Sequence, residues 1–186
     1  MILFVNCCIR SESRTKRLAD SLLEKLGQYE EIKLEEINLK QINRERLNKR
    51  TSLIEDSEFD NPMFNLAKQW ANADIIVIAA PFWDLSFPSE LKMYIENIYV
   101  TGIVSEYGDD GRPQGLCKAE KLYYVTTAGG YIQSDEYGFG YVKSMFNTFY
   151  NVNDISYIKA EGLDIYGNNI DNIMNFAKMD IEKLFK

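Results

Sequence analysis

Residues 10–15, Arg-Ser-Glu-Ser-Arg-Thr, combine hydroxyl and guanidinium side chains directly after a short apolar run that ends at Asn6. A helix is predicted from Thr15 to Leu26, and the first turn of a helix leaves backbone N–H groups free to bind an anion. The candidate donors to a monophosphate are Ser11, Ser13 and Thr15, with Arg10 and Arg14 supplying positive charge. The dinucleotide and nucleoside triphosphate fingerprints GxGxxG and GxxxxGK[ST] are absent. Plain capping of the helix by Ser13 or Thr15 is the alternative.

Two aromatic residues, Phe82 and Trp83, follow the apolar run 74–79. A run this continuous predicts a strand buried on both faces, hence a central strand of a parallel sheet. Ligands in open α/β sheets bind beyond the carboxyl ends of the strands, so the two aromatics could wall a flat ring. Backbone N–H groups of residues 83–85 could then meet the nitrogens of a flavin. The alternative is a surface loop that tucks its aromatics into the core.

A third candidate segment, Thr127-Ala-Gly-Gly130, follows the predicted strand 121–126. Paired glycines permit close approach of backbone to a ligand, Thr127 adds a hydroxyl, and Tyr131 adds a phenol. An ordinary strand-to-helix turn would look similar. The three segments together point to a flavin more strongly than any one of them.

The elements that must position these residues alternate between strands and helices. Strands are predicted at 2–5, 32–39 (an edge strand), 74–79, 121–126 and 154–160, and helices at 15–26, 61–72, 88–100, 138–150 and 171–185, the last with Phe176 and Met179 among its apolar candidates. An inserted hairpin could be formed by residues 103–107 and 115–117. The polar segment 40–60 is expected to be a connection with one helical turn; a lid or a dimer contact is the alternative. This alternation predicts one α/β domain over residues 1–186: a doubly wound, five-stranded parallel sheet of order 2-1-3-4-5 with helices on both faces. That order is flavodoxin-like, and its flavin mononucleotide (FMN) lies between strands 1 and 3.

Composition excludes several classes of function. A net charge of −7 argues against a nucleic-acid partner. The absence of histidine excludes a Ser-His-Asp triad, a Cys-His pair and a His-based metal site, so we expect no metal. Three cysteines are not a disulfide framework, and Cys7 and Cys8 are interpreted as small, half-buried residues at a strand end. No signal peptide or membrane span is predicted, so we expect a cytoplasmic protein without a membrane partner.

The combined pattern resembles the family of FMN-dependent NAD(P)H:quinone oxidoreductases and azoreductases over nearly the whole chain. The likeness is sharpest in residues 76–92, where a Pro-x-aromatic-Asn/Asp loop precedes a Pro- or Ser-started helix with Leu-Lys. Residues 101–107 and 115–118 resemble the hairpin of the family, and residues 126–130 resemble its second flavin loop.

The resemblance implies a set of cofactor-binding residues. Arg10, Ser13 and Thr15 would hold the FMN phosphate; Pro81, Phe82, Trp83, Asp84 and Leu85 would line the ring; Thr127, Ala128, Gly129 and Gly130 would meet its pyrimidine edge. The first loop is shorter than in the best-known azoreductases, and Cys7-Cys8 replaces the common serine. Since no histidine is present, backbone N–H groups or Tyr131 would support the charge of the reduced ring.

The resemblance also implies an activity and an assembly. It implies a homodimer in which each active site is roofed by the partner, and ping-pong hydride transfer from NADH or NADPH through FMN to a quinone, azo or nitro compound. A flavodoxin-type electron carrier without NAD(P)H turnover is the alternative, and a flavin-free regulator with the same fold is a third.

Overall fold

A computed structural model describes residues 1–186. The strands are β1 (Ile2–Asn6), β2 (Tyr29–Lys33), β3 (Ile75–Ala79), β4 (Ser105–Tyr107), β5 (Pro113–Gly115), β6 (Lys121–Thr127) and β7 (Asp154–Ala160). The helices are α1 (Arg14–Leu26), α2 (Arg44–Glu55), α3 (Asn65–Asn72), α4 (Ser89–Ile98), α5 (Phe139–Met145) and α6 (Ile170–Lys183). A 3₁₀ turn (Pro62–Phe64) leads into α3, and a π-helical turn (Phe146–Tyr150) extends α5.

Five strands form a parallel sheet of order β2-β1-β3-β6-β7, and β4 and β5 form a separate antiparallel hairpin. This is the predicted order 2-1-3-4-5 once the hairpin is set aside, so the prediction of the fold is confirmed. The central position of β3 follows from its composition, because Ile76 to Ala79 are completely buried between two helical layers.

Two apolar cores lie on the two faces of the sheet. On one face, α1 and α6 bury Leu18, Leu22 and Ile181 against β1, β3 and β6. On the other face, α3, α4 and α5 pack around Trp70 and Tyr94. The sheet therefore holds helices on both faces, and its carboxyl edge is the place where the loops of both layers meet.

The polar segment 40–60 is a helix for much of its length, so the prediction of a connection with a single turn was wrong. Helix α2 begins after Asn43, whose side chain accepts a hydrogen bond from the Arg46 N–H, and Leu53 is its one buried residue. The helix is attached through arginines: Arg46 Nη2 donates to Asn97 Oδ1 (3.0 Å), and Arg50 Nη1 donates to Glu96 O (3.0 Å). Burial lowers the pKa of Arg50, which faces the negative end of the α4 dipole.

Two smaller expectations also need correction. The edge strand is β2 at 29–33 rather than 32–39, and the chain turns after Leu34. In α6 the buried residues are Met174, Ala177 and Ile181, whereas Phe176 and Met179 are exposed. None of the helices combines the length and the apolar character that crossing a bilayer requires.

Candidate functional site

One cavity of about 690 Å³ opens at the carboxyl edge of the sheet. Its walls are residues 8–15, 81–83, 127–129 and 163–164, which follow β1, β3, β6 and β7 respectively. The volume lies in the range usual for small-molecule sites. The three candidate segments of the sequence therefore meet around one space, together with a fourth, residues 163–164, that carries no motif.

The cavity wall contains most of the predicted site residues. The residues on the wall are Arg10, Ser13, Thr15, Pro81, Phe82, Trp83, Thr127, Ala128 and Gly129. Asp84, Leu85 and Gly130 are exposed and lie outside that wall. Tyr131 also lies outside it, with 59% of its surface exposed, and packs towards Gly162.

The loop that leads into α1 leaves a run of backbone donors unpaired. Ser13 caps the helix, because its Oγ accepts a hydrogen bond from the Lys16 N–H at 3.2 Å. No oxygen of the chain accepts a hydrogen bond from the backbone N–H groups of residues 9–15. Capping and anion binding are thus compatible here. Ser13 accepts the hydrogen bond of the Lys16 N–H only, and the N–H groups of residues 9–15 stay free for an anion.

Two buried threonines join α1 to β6. The hydroxyls of Thr15 and Thr127 lie 2.6 Å apart, and the two residues are 1% and 8% exposed. One hydroxyl donates its hydrogen to the oxygen of the other. The accepting hydroxyl therefore keeps its own hydrogen, which it can donate to a further group. This bond fixes the N-terminus of α1 beside the loop that follows β6.

The aromatic loop ends in a strained two-residue turn. Trp83 and Ser86 exchange both of their backbone hydrogen bonds, at 2.9 and 2.7 Å, around Asp84 (φ 50°) and Leu85 (φ 68°). Positive φ at both central residues is the type I′ hairpin turn, and a left-handed leucine costs about 1–2 kcal/mol. The expectation that the Trp83 N–H is free was wrong, since it donates to Ser86 O. The N–H groups of Asp84 and Leu85 have no acceptor within the chain.

Aromatic and charged groups meet at the mouth of the cavity. The guanidinium carbon of Arg10 lies 5.9 Å from the centroid of the Trp83 ring, a cation–π distance. Arg14 Nη1 donates to Asp164 Oδ1 at 2.6 Å. With Glu12 also on the wall, two guanidinium groups face two carboxylates. The formal charges of these four side chains sum to zero, and the free N–H groups add the partial positive charge that attracts an anion.

Residues 162–164, which include the fourth segment of the wall, support the loop after β6. The N–H groups of Gly162, Leu163 and Asp164 donate to the carbonyl oxygens of residues 130, 128 and 129, at 2.9, 3.2 and 2.8 Å. The sequence signal that could have revealed this segment is its position, because it follows the last strand at the same edge of the sheet.

The adjacent cysteines point to opposite faces of the sheet. Cys7 belongs to the core around Trp70, whereas Cys8 belongs to the core around Leu18 and also touches the cavity. Burial raises the pKa of Cys8 to about 11, partly offset by a hydrogen bond with Ser13, and burial raises the pKa of Cys7 well above its ordinary value. Both thiols are therefore protonated near neutral pH. Because the thiolate is the nucleophilic form of cysteine, neither side chain is activated for nucleophilic chemistry.

The loop between β6 and α5 is anchored on both sides. Ser86 Oγ donates to Tyr137 O at 2.6 Å, which links this loop to the aromatic turn. Tyr157 OH donates to Asp135 Oδ1 at 2.8 Å, and the Tyr157 ring stacks on Phe139 with centroids 4.1 Å apart. The side of the cavity next to Phe82 is thus a fixed part of the fold.

Comparisons with known proteins give a matching family and several relatives. A family model described as a flavodoxin-like fold matches residues 1–184. An FMN-dependent NADH:quinone oxidoreductase of Clostridium perfringens (strain SM101 / Type A) is 31% identical over 192 residues, covering 98% of this chain and 94% of that protein. An FMN-dependent NADH:quinone oxidoreductase 2 of Clostridium acetobutylicum is 41% identical over 120 residues, 62% of this chain; the match spans 59% of that protein's length. The crystal structure of an FMN-dependent NADH-azoreductase from Bacillus anthracis str. Ames Ancestor in complex with FMN superposes with a TM-score of 0.80 at 21% identity, covering 100% of this chain and 99% of that one.

Proposed function

The chain belongs to the flavodoxin-like fold family that includes the FMN-dependent NADH:quinone oxidoreductases, and on that premise we propose that it is an FMN-dependent NAD(P)H oxidoreductase. NADH or NADPH is the donor, and a quinone, azo or nitro compound is the acceptor. The two substrates react in turn at one site, in ping-pong order. The names of the relatives favour NADH as the donor and a quinone or azo acceptor.

The observation that carries this proposal is the run of unpaired N–H groups at residues 9–15, which opens on a cavity walled by Phe82 and Trp83. A phosphate has several acceptor oxygens, and an aromatic wall suits the flat ring of the same molecule. The donor set of this chain therefore fits FMN. Bound FMN would supply the hydride chemistry, which no side chain of this protein can perform.

Each part of the site has its own role in holding that group. The amides of residues 9–15, with Ser13 and Thr15, bind the phosphate. Phe82 and Trp83 would contact the ring, and the unpaired N–H groups of Asp84 and Leu85, next to that wall, would be available to its polar edge. The unpaired N–H groups of residues 129–131 stabilise negative charge at the pyrimidine end, in place of the missing histidine.

Homodimer formation is part of the proposal. Apolar side chains stand exposed near the mouth of the cavity: Ile9 (45%), Leu85 (53%), Tyr131 (59%) and Tyr137 (55%). A second copy that covered them would exclude water from the ring and form the roof of the site. Analytical ultracentrifugation of the FMN-loaded protein should give twice the monomer mass; a monomer would refute this part.

The cytoplasmic location expected from the sequence also belongs to the proposal, and cell fractionation tests it.

The test of the activity is anaerobic. The purified protein is loaded with FMN, freed of unbound flavin and mixed with NADH or NADPH, and the blue absorbance of the flavin is followed. Rapid bleaching that reverses on addition of a quinone is expected. Retained colour without bleaching would indicate an electron carrier, and failure to retain FMN would refute the site.

Matched variants localise the site. Phe82→Ala removes a ring from the cavity wall and should weaken FMN binding by about two- to tenfold, from the usual worth of an aromatic pair. Phe176→Ala makes the same change at an exposed position of α6 and should leave binding unchanged. Equal affinities for the two variants would contradict the assignment of the wall.

A further inference from the structure

The direction of three backbone donors is set by the segment behind them. The carbonyl oxygens of residues 128–130 accept hydrogen bonds from the N–H groups of residues 162–164. In a trans peptide the N–H points opposite to the C=O of the same unit. The N–H groups of residues 129–131 are therefore turned away from the supporting segment, and none of them has an acceptor within the chain.

Asp164 is fixed to this loop by its side chain as well as by its backbone. A Cβ added to Gly129 would lie 3.1 Å from Asp164 Cγ and 3.3 Å from its Cβ, so the carboxylate group packs directly on the glycine. The same carboxylate accepts from Arg14 Nη1 at 2.6 Å, and Arg14 is the first residue of α1. Asp164 thus connects the loop after β6 with the helix whose N-terminus carries the free amides.

We propose that Asp164 is a positioning residue that, anchored to α1 through Arg14, holds the donors of residues 129–131 in place. The inference rests on the proposed function, because these donors are the ones proposed to meet the ring of FMN. Its consequence is that the ion pair supports binding of the ring, and does so without touching the phosphate. Riboflavin, which has the ring and lacks the phosphate, should feel the loss of the pair as much as FMN does.

The experiment compares FMN and riboflavin in the full-length apoprotein. Dissociation constants are measured by quenching of flavin fluorescence for Asp164→Asn, Arg14→Met and the double variant. The pair is partly exposed, with 33% and 67% of the two side chains accessible. Each single variant should therefore weaken both ligands by only about two- to fivefold. The double variant should be no weaker than the weaker single one, because the pair acts as a unit.

Glu182→Gln is the control, since it breaks a 2.8 Å ion pair with Lys25 at the opposite end of α1. It should change neither affinity. A salt titration adds a readout that general loss of stability would not give. Riboflavin is neutral, so its affinity should fall between about 0.05 and 1 M NaCl only where an ion pair supports the site. We expect that fall in the unmodified protein and not in Asp164→Asn.

Unchanged affinities in Asp164→Asn would overturn the inference while leaving the proposed function intact. So would a loss confined to FMN in Arg14→Met, which would show that Arg14 binds the phosphate directly. If the unmodified protein bound neither flavin, the proposed function would fall and the inference with it. Arg14→Met breaks the same pair from the helix side, so a folding defect in Asp164→Asn does not remove the test.

Discussion

Gly129→Ala should destabilise the protein through a clash with Asp164, independently of any ligand. A glycine at this position first suggests room for a ligand, yet a Cβ there would meet the Asp164 side chain, with Cγ at 3.1 Å and Cβ at 3.3 Å. The Cβ of Asp164 cannot move away freely, because the Asp164 N–H donates to Gly129 O at 2.8 Å and holds the backbone in place. The matched change is Gly130→Ala, since a Cβ at Gly130 meets nothing within 4 Å.

The expected magnitude follows from these distances. Forcing a methyl group into an occupied space costs about 1–3 kcal/mol, and displacing the carboxylate also breaks its ion pair with Arg14, which adds about 0.2–1 kcal/mol. Gly130→Ala should lie between no effect and a gain of about 1 kcal/mol from reduced freedom of the unfolded chain. In an Asp164→Ala background only the Cβ of residue 164 remains, so the cost of Gly129→Ala should drop to about 1 kcal/mol or less.

Urea unfolding of the apoprotein, followed by far-ultraviolet circular dichroism, measures these free energies. The slope of the unfolding free energy against urea should be the same for all variants, so that midpoints report stability. Equal stability of Gly129→Ala and Gly130→Ala would refute the reasoning. An undiminished cost of Gly129→Ala without the Asp164 carboxylate would place the clash elsewhere.

Three further predictions concern other contacts. Thr15→Val or Thr127→Val alone leaves a buried hydroxyl unpaired and should lower the free energy of urea unfolding by about 1–3 kcal/mol. The double variant should lose less than the sum of the two single losses. Simple additivity of the losses would contradict the pairing. Arg50→Met should lower the calorimetric melting temperature by about 2–6 °C, because the hydrogen bond to Glu96 O is lost. The control Lys49→Met, at an exposed position of the same helix, should leave the melting temperature unchanged. Equal shifts would contradict the attachment of α2 through Arg50. Burial of neutral Cys8 stabilises the fold fully below its ordinary pKa of 9.0, and this stability is lost as pH rises through about 11. Cys8→Ala should therefore remove part of the fall in stability between about pH 9 and pH 11, up to about 1.4 kcal/mol per pH unit. An unchanged fall would refute the shift.

The fold could be predicted wherever burial leaves a pattern along the chain. The run Ile75 to Ala79 has no polar position because β3 is covered on both faces, and that identifies the centre of the sheet. Helix α2 leaves no such pattern, since it buries only Leu53 and is held by Arg46 and Arg50. Those contacts join residues about fifty positions apart, and a window along the sequence does not contain both partners.

The site could be predicted to the extent that it depends on strand ends. Parallel strands bring their carboxyl ends to one edge, so Thr15, Trp83 and Thr127 meet although they lie far apart in sequence. Asp164 was missed because its significance depends on Arg14, 150 positions away. The left-handed Leu85 was missed as well, because leucine rarely adopts that conformation and its sequence gives no sign of it.

The two tryptophans of the chain occupy two different optical environments. Trp70 is completely buried, with the rings of Tyr94, Phe146 and Tyr150 at 5.4–5.8 Å, so its emission should be blue-shifted and should move to the red when the core opens. Trp83 stands in the cavity wall beneath Arg10, where a yellow ligand would quench it by energy transfer. The variant Trp83→Phe would leave only the emission of Trp70. Subtracting its spectrum from that of the unmodified protein would give the emission of Trp83. Quenching of the Trp83 emission would then report occupancy of the cavity, and the red shift of the Trp70 emission would report unfolding of the core.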